Sequence, residues 1–116
     1  MALMTMTWRH WFRWAATDPE AWVRCWRWIV QESESEAPDL RWDWWVYRGV
    51  NQLSDSRSAY SGDEYVDIVG VDSYDVSPAV RSESDWQKHL YSRYGLQFWV
   101  DFAAQHGKQF SVPEWG

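Results

Sequence analysis

Residues 66–75 read VDIVGVDSYD, an apolar and β-branched run that closes in acids and a tyrosine. A short run of this kind predicts a buried strand. Residues 110–116 read FSVPEWG, in which a short apolar run leads to one acidic residue, Glu114, set between proline and tryptophan. One helix-length segment separates the two runs, and the order strand, helix, strand predicts a βαβ unit with polar residues at the tips of both strands.

Glu114 is the candidate catalytic residue. In a parallel (β/α) barrel the chemistry lies where strands end, whereas a Glu in the middle of a strand would be a buried liability. A glutamate at a strand end with no chemical role is the simpler interpretation of the residue alone. The Pro-Glu-Trp-Gly context favours a functional carboxylate.

The remaining helices and strands are predicted from capping signals and apolar periodicity. No repeat, linker or change in composition divides the sequence, so residues 1–116 are expected to form one domain. A helix is expected after Thr17, which is in the N-cap position of a Thr-Asp-Pro-Glu sequence, and it fades through residues 31–36. The other predicted elements are a strand at 40–47, a polar loop at 48–64, a short helical piece at 84–91 and a longer helix at 95–105.

Composition limits the possible folds and partners. The 116 residues are too few for a complete eight-stranded barrel, which needs roughly 250. The 12 tryptophans are numerous, and large rings either fill cores or stack on flat ligand faces such as those of sugars. The net charge of −6 argues against a nucleic-acid partner, although residues 8–14 alternate basic and aromatic side chains as nucleic-acid and membrane-surface segments can.

The sequence indicates no metal or cofactor. Asp72 and Asp75 could mimic a metal site, but loop-capping roles suit them better, and His10, His89 and His106 are too scattered to form a ligand set. Neither a Ser/His/Asp arrangement nor a phosphate-binding glycine loop is present.

The sequence indicates neither a disulfide nor a targeting signal. Cys25 is the single cysteine, so an internal disulfide is excluded. Residues 1–7 lack the features of a signal peptide, and no run approaches the length of a membrane span. We therefore expect no membrane partner and leave the cellular location open.

Several motifs, taken in order, resemble the later part of glycoside hydrolase family 26, the retaining (β/α)8 hydrolases that include endo-β-1,4-mannanases. The resemblance covers most of the chain and is carried by the order and spacing of the motifs together. They are WFRW at 11–14 with DPEAW at 18–22, RWDW at 41–44, YSGD at 60–63 leading into 66–75, and HGK at 106–108 before VPEWG at 112–116.

The resemblance implies an α/β fold that is an incomplete (β/α)8 TIM-barrel segment, approximately strands 4/5 to 7. It places Glu114 on the nucleophile at the end of the seventh strand and Tyr74 beside it, where the tyrosine would favour the ionised nucleophile by hydrogen bonding. Tyr74, Trp44, Trp14 and Trp115 are the implied substrate-binding residues. We expect Glu114, Tyr74 and Trp44 to face one cleft, with a mannan-type polysaccharide as substrate.

The chain departs from the family pattern at the second carboxyl group. Retaining chemistry requires a proton donor about 5–5.5 Å from the nucleophile. The family supplies it in a Glu-x-Asn-Gly pattern, and counting back from Trp11 places Met6 where that Glu is expected. Neither Glu20 nor Asp18 is well placed to substitute, and Trp45 stands where the family has a polar residue. The resemblance thus implies half of a catalytic pair, and we expect the chain alone to be inactive on polysaccharide.

Two alternatives remain open from the sequence. One is a non-catalytic carbohydrate-binding remnant, and the other is an interaction protein with an aromatic surface. An incomplete barrel also leaves unpaired sheet edges and uncovered apolar faces, so we expect self-association when the chain is expressed alone. Members of the resembled family are often secreted.

Overall fold

The protein forms an α/β structure around one four-stranded parallel sheet. The computed structural model describes residues 2–5, 17–50, 53–75 and 79–116. The strands are β1 (Ala2–Thr5), β2 (Trp42–Tyr47), β3 (Ile68–Asp72) and β4 (Gln109–Ser111), and their spatial order follows the chain. Every neighbouring pair is parallel, with Trp44 opposite Val69 and Val69 opposite Phe110. The predicted parallel strands are confirmed, whereas β1 was not expected.

The helices are α1 (Pro19–Glu34), α2 (Glu83–Tyr91) and α3 (Leu96–Gln105), each close to its predicted bounds. Asp18 caps α1, because its side chain accepts a hydrogen bond from the Ala21 N–H at 2.8 Å. The predicted cap at Thr17 is therefore wrong by one residue. The long polar loop before β3 contains two short 3₁₀ helices, Ser56–Ala59 and Asp63–Tyr65. No helix of the described segments is long and apolar enough to cross a membrane.

The alternation of side chains gives the sheet two different faces. Trp42, Trp44 and Val46 of β2 belong to the hydrophobic core together with Val69 and Val71 of β3. This is the face that α1 and α3 cover, and its core holds five of the nine tryptophans that the structure describes, namely Trp22, Trp26, Trp42, Trp44 and Trp99. We call it the helix-covered face.

Tryptophans at the centre of this core are anchored by their indole N–H groups. Trp26 of α1 is fully buried and donates to the Tyr65 carbonyl at 2.8 Å. Trp44 is also fully buried and donates to the Ala59 carbonyl at 3.0 Å. These bonds tie both 3₁₀ helices to the core, because a buried indole N–H needs an acceptor.

The opposite face, which we call the inner face, has polar side chains that approach each other closely at its centre. Asp43 of β2 accepts a hydrogen bond from the Ser111 hydroxyl of β4 at 2.8 Å, across the intervening strand β3. This is possible because Gly70 lies between them. A Cβ atom at Gly70 would come within 2.8 Å of the Trp45 Cβ and within 3.0 Å of the Asp43 Oδ1.

Replacing Trp26 by Phe should lower the free energy of unfolding by about 1–3 kcal/mol, because the substitution leaves a cavity and an unpaired Tyr65 carbonyl. Trp28 lies on the same helix and is 61% exposed, which makes Trp28→Phe a matched control. The control should change stability by less than about 0.5 kcal/mol. Urea unfolding of both variants makes the comparison, and equal effects would contradict the assigned core.

Candidate active site

The chain segment after β3 pairs with the segment after β4, so the parallel sheet continues beyond its regular strands. Ser73 and Trp115 form a parallel bridge. The Ser73 N–H donates to the Glu114 carbonyl at 3.0 Å, and the Asp75 N–H donates to the Gly116 carbonyl at 2.5 Å. Since the carboxyl ends of parallel strands share one edge, this pairing holds Glu114 beside the tip of β3.

Tyr74 and Glu114 are joined directly at this edge. The Tyr74 hydroxyl donates to the Glu114 Oε2 at 2.5 Å. The hydrogen bond to Glu114, together with smaller contributions from burial and nearby negative charge, raises the pKa of Tyr74 to about 12. Tyr74 therefore stays protonated near neutral pH and remains a donor that orients the exposed carboxylate.

Asp72, at the last position of β3, is a second acidic group close to Glu114. Its side chain is fully buried, and neither carboxyl oxygen has a hydrogen-bond partner of ordinary geometry among the described residues. Burial, then the negative charge of Glu114, raises the pKa of Asp72 to about 8, although the Glu114 backbone N–H acts in the opposite direction. At neutral pH Asp72 is mostly protonated, so it adds little negative charge beside Glu114.

The expectation that Asp72 and Asp75 both cap loops holds for one of them. Asp75 accepts a hydrogen bond from the backbone N–H of Val80, which closes the loop after β3. Asp72 instead lies inside the structure at the strand tip. Burial also raises the pKa of Asp43, against the opposing effects of the Ser111 hydrogen bond and the Arg41 charge.

Sequence reasoning missed the buried acids of the inner face. The signal for Asp43 was present in the alternation of WDWWVY, residues 42–47, which places Asp43 and Trp44 on opposite faces. Trp45 shares the inner face with Asp43, and its indole N–H is buried with no hydrogen-bond partner in the part of the chain that the structure describes.

The other expected site residues are divided between the edge and the core. Trp115 is next to Glu114 and 79% exposed. Trp44 does not line a cleft with Glu114: it is fully buried on the helix-covered face, where it packs against Trp99. The expectation of a common cleft for Glu114, Tyr74 and Trp44 therefore fails for Trp44. Trp14 and Met6 lie outside the described residues.

No ligand set for a metal is evident in residues 2–5, 17–50, 53–75 and 79–116. These segments contain no group of three or more His, Cys, Asp or Glu side chains that could hold an ion. His106 instead pairs with Asp63 at 2.7 Å, and His89 bonds Ser73 at 2.7 Å. The reactive group at this edge is the exposed carboxylate of Glu114, which the Tyr74 hydroxyl orients by a hydrogen bond.

The fold and this edge define a parallel α/β protein with a carboxylate site at the carboxyl ends of its strands. The model of glycosyl hydrolase family 26 matches residues 4–111, which is most of the chain. The protein belongs to glycosyl hydrolase family 26, as the sequence motifs indicated. Comparisons with curated proteins and with solved structures gave no match.

Family membership makes this chain a glycosidase-family protein, and the sheet with its helices is consistent with part of a (β/α)8 barrel. A carbohydrate substrate is what the family suggests. The match ends three residues before Glu114. The observations that point to a functional role for Glu114 are therefore its contact with Tyr74 and its position at the strand edge.

Asp72 should make stability depend on pH. Folded Asp72 holds its proton up to a pKa of about 8, whereas the unfolded side chain loses it near 3.8. The unfolded state then binds fewer protons, and stability falls as pH rises between these values, by at most about 1.4 kcal/mol per pH unit.

Asp72→Asn should remove most of this slope and should be relatively more stable than the native chain at pH 8 than at pH 5. Urea unfolding at both pH values measures the effect. Asp39→Asn, at an exposed acid before β2, is the control and should keep the native slope. A native slope that persists in Asp72→Asn would contradict the assignment.

Proposed function

We propose that this chain carries the nucleophile side of a retaining glycoside hydrolase site, with Glu114 as the nucleophile and a β-linked, mannan-type polysaccharide as the substrate. The hydrogen bond between Tyr74 and Glu114 is the observation that carries the proposal. In this proposal the four strands correspond approximately to strands 4 to 7 of a (β/α)8 barrel. Glu114 then stands at the catalytic edge.

The proposed first step is attack of a Glu114 oxygen on the anomeric carbon. A bond forms between that oxygen and the carbon, the glycosidic bond breaks, and its electron pair leaves with the aglycone oxygen. Tyr74 holds the carboxylate in one orientation, which reduces the entropy lost on reaching the transition state. Water then hydrolyses the glycosyl-enzyme and restores the carboxylate.

Trp115 supplies the proposed sugar contact. Its ring is the most exposed of the large apolar side chains in the described segments and directly follows Glu114. An indole ring packs well against the apolar face of a pyranose, and its N–H can donate to a hydroxyl. Trp115 would therefore hold the sugar ring close to the nucleophile.

The proton donor is the missing half of the proposed pair. Met6 occupies the expected position of the acid/base residue, and a thioether neither donates nor accepts a catalytic proton. Asp72 is protonated at neutral pH, but its fully buried side chain cannot reach a leaving group in solvent. The proposed activity is thus restricted to substrates whose leaving group needs no protonation.

Covalent labelling tests the nucleophile. A 2-deoxy-2-fluoro-β-mannosyl fluoride should form a stable ester with Glu114, because the fluorine at C2 slows breakdown of the intermediate. Peptide mass spectrometry should find the added sugar on the peptide that contains Glu114. Tyr74→Phe should label roughly 10²-fold more slowly, since it removes one preorganised donor.

Glu114→Gln should give no label, and Glu64→Gln, at an exposed acid distant in sequence, should label as the native chain does. Label on another carboxylate, or equal labelling of Tyr74→Phe and the native chain, would refute the assigned roles. A chain that binds mannan without labelling would instead support a carbohydrate-binding remnant.

Leaving-group dependence tests the absence of an acid. The native chain should hydrolyse a dinitrophenyl β-mannoside, whereas intact mannan should not be turned over at an enzymatic rate, because loss of general acid–base catalysis costs roughly 10²–10⁴-fold. Azide should accelerate the aryl reaction, since it attacks the intermediate without a general base. Ready release of sugars from mannan would contradict this account.

A further inference from the structure

A pocket lies near the same strand tips, between the end of β2 and helix α2. Its lining side chains are Arg48, Asp85, Lys88, His89 and Ser92. Ser73 marks the division between the two sites, because its hydroxyl bonds His89 Nε2 at 2.7 Å, whereas the next residue, Tyr74, bonds Glu114. The pocket thus adjoins the candidate active-site edge, and α2 forms one of its walls.

Arg48 is the unusual group in this pocket. Its Nε is buried and has no hydrogen-bond partner, and its side chain forms no salt bridge with the described residues. Burial lowers the pKa of Arg48, although Tyr47 and Asp75 act in the opposite direction. A buried N–H group without an acceptor is costly, and the fork of N–H donors on a guanidinium matches a carboxylate.

The acids around Arg48 are engaged elsewhere. Asp85 accepts from the Ser82 hydroxyl at 2.8 Å and faces Lys88 at 3.8 Å. Asp75 accepts from the Val80 N–H. These two carboxylates contribute to the local electrostatic field, yet neither of them forms a hydrogen bond with the guanidinium.

An aromatic side chain, Trp86, lies next to the pocket through its contact with His89, although it is not itself a lining residue. The ring of Trp86 stacks on His89, with centroids 5.6 Å apart and planes 18° from parallel, and Trp86 stays 40% exposed. Burial and the nearby charge of Arg48 lower the pKa of His89. A mostly neutral His89 offers a hydrogen-bonding ring, and Trp86 offers an apolar surface of the kind that packs against a sugar ring.

We propose that this pocket binds a carboxylate, with Arg48 as its bidentate partner, and that the source of the carboxylate is a uronic acid residue of a saccharide. The saccharide source rests on the proposed function, whereas the carboxylate site does not. Trp86 packs against the sugar ring, and Lys88 adds a second positive charge at the pocket mouth. An acidic side group on the polysaccharide would then be held beside the strand tips that carry Glu114.

Isothermal titration calorimetry of the full chain tests the site with three probes: D-glucuronate, acetate and neutral methyl α-D-glucopyranoside. NMR of the Arg48 Nε–H resonance reports where binding occurs. Glucuronate should bind, shift that resonance and bind more tightly than acetate, and the neutral glucoside should leave the resonance unchanged. Arg48→Gln should weaken glucuronate binding by at least about tenfold.

Arg24→Gln, at an exposed arginine of α1, is the matched control and should bind glucuronate as the native chain does. Arg48→Lys keeps the charge but loses the fork, so its affinity should fall between those of the native chain and Arg48→Gln. If Arg48→Gln fails to melt cooperatively, the comparison of Arg48→Lys with the native chain decides the question. Undiminished affinity in Arg48→Lys would then overturn the bidentate contact.

Equal binding of acetate and glucuronate would overturn the saccharide source and retain the carboxylate site. Equal binding of the neutral glucoside, or no shift of the Arg48 resonance, would overturn the site itself. The labelling of Glu114 is an independent readout. Glucuronate binding without Glu114 labelling would contradict the proposed function and leave the carboxylate site supported. Labelling without glucuronate binding would overturn this inference and leave the proposed function supported.

Discussion

The candidate site depends on the backbone pairing between the segment that follows β3 and the segment that carries Glu114. The hydrogen bond from the Ser73 N–H to the Glu114 carbonyl fixes the register of the two segments. That register places the Tyr74 hydroxyl against the Glu114 carboxylate. A shift of one residue would turn every side chain to the opposite face and separate this pair.

Few hydrogen bonds support this pairing, and each contributes only about 1 kcal/mol, so its stability has to come from the packing behind it. The helix-covered face supplies that packing. Val69 and Val71 of β3 are fully buried there, and Phe110 of β4 packs against the same core. The tryptophans of this core therefore support the strand tips, whereas Trp115 lies at the surface.

Local sequence signals were sufficient for β2, β3, the described helices and the family. Apolar runs and capping residues located β2, β3 and the helices α1, α2 and α3, because these signals act within a few residues along the chain. Asp18 replaced Thr17 as the cap of α1, since either side chain suits that position and only the backbone geometry distinguishes them. Four residues of β1 were too short a signal to be recognised as a strand.

The failures concern tertiary contacts. A tryptophan such as Trp44 can stack on a sugar ring. Here it is buried instead, because it lies on the helix-covered face and packs against Trp99 of α3. Asp72 looked like a loop acid because nothing in its sequence neighbours shows that it becomes fully buried. That the Arg48 Nε–H is buried without a hydrogen-bond partner among the described residues is likewise visible only in three dimensions. The catalytic role of Glu114 and the self-association of the chain stay predictions.

The contact between Tyr74 and Glu114 is the central claim, and NMR of the native chain at neutral pH tests it most directly. We expect nuclear Overhauser effects between the Tyr74 ring protons and the Glu114 Hγ protons, together with slow hydrogen exchange of the Ser73 amide. An unprotected Ser73 amide and no such effects between Tyr74 and Glu114 would contradict it.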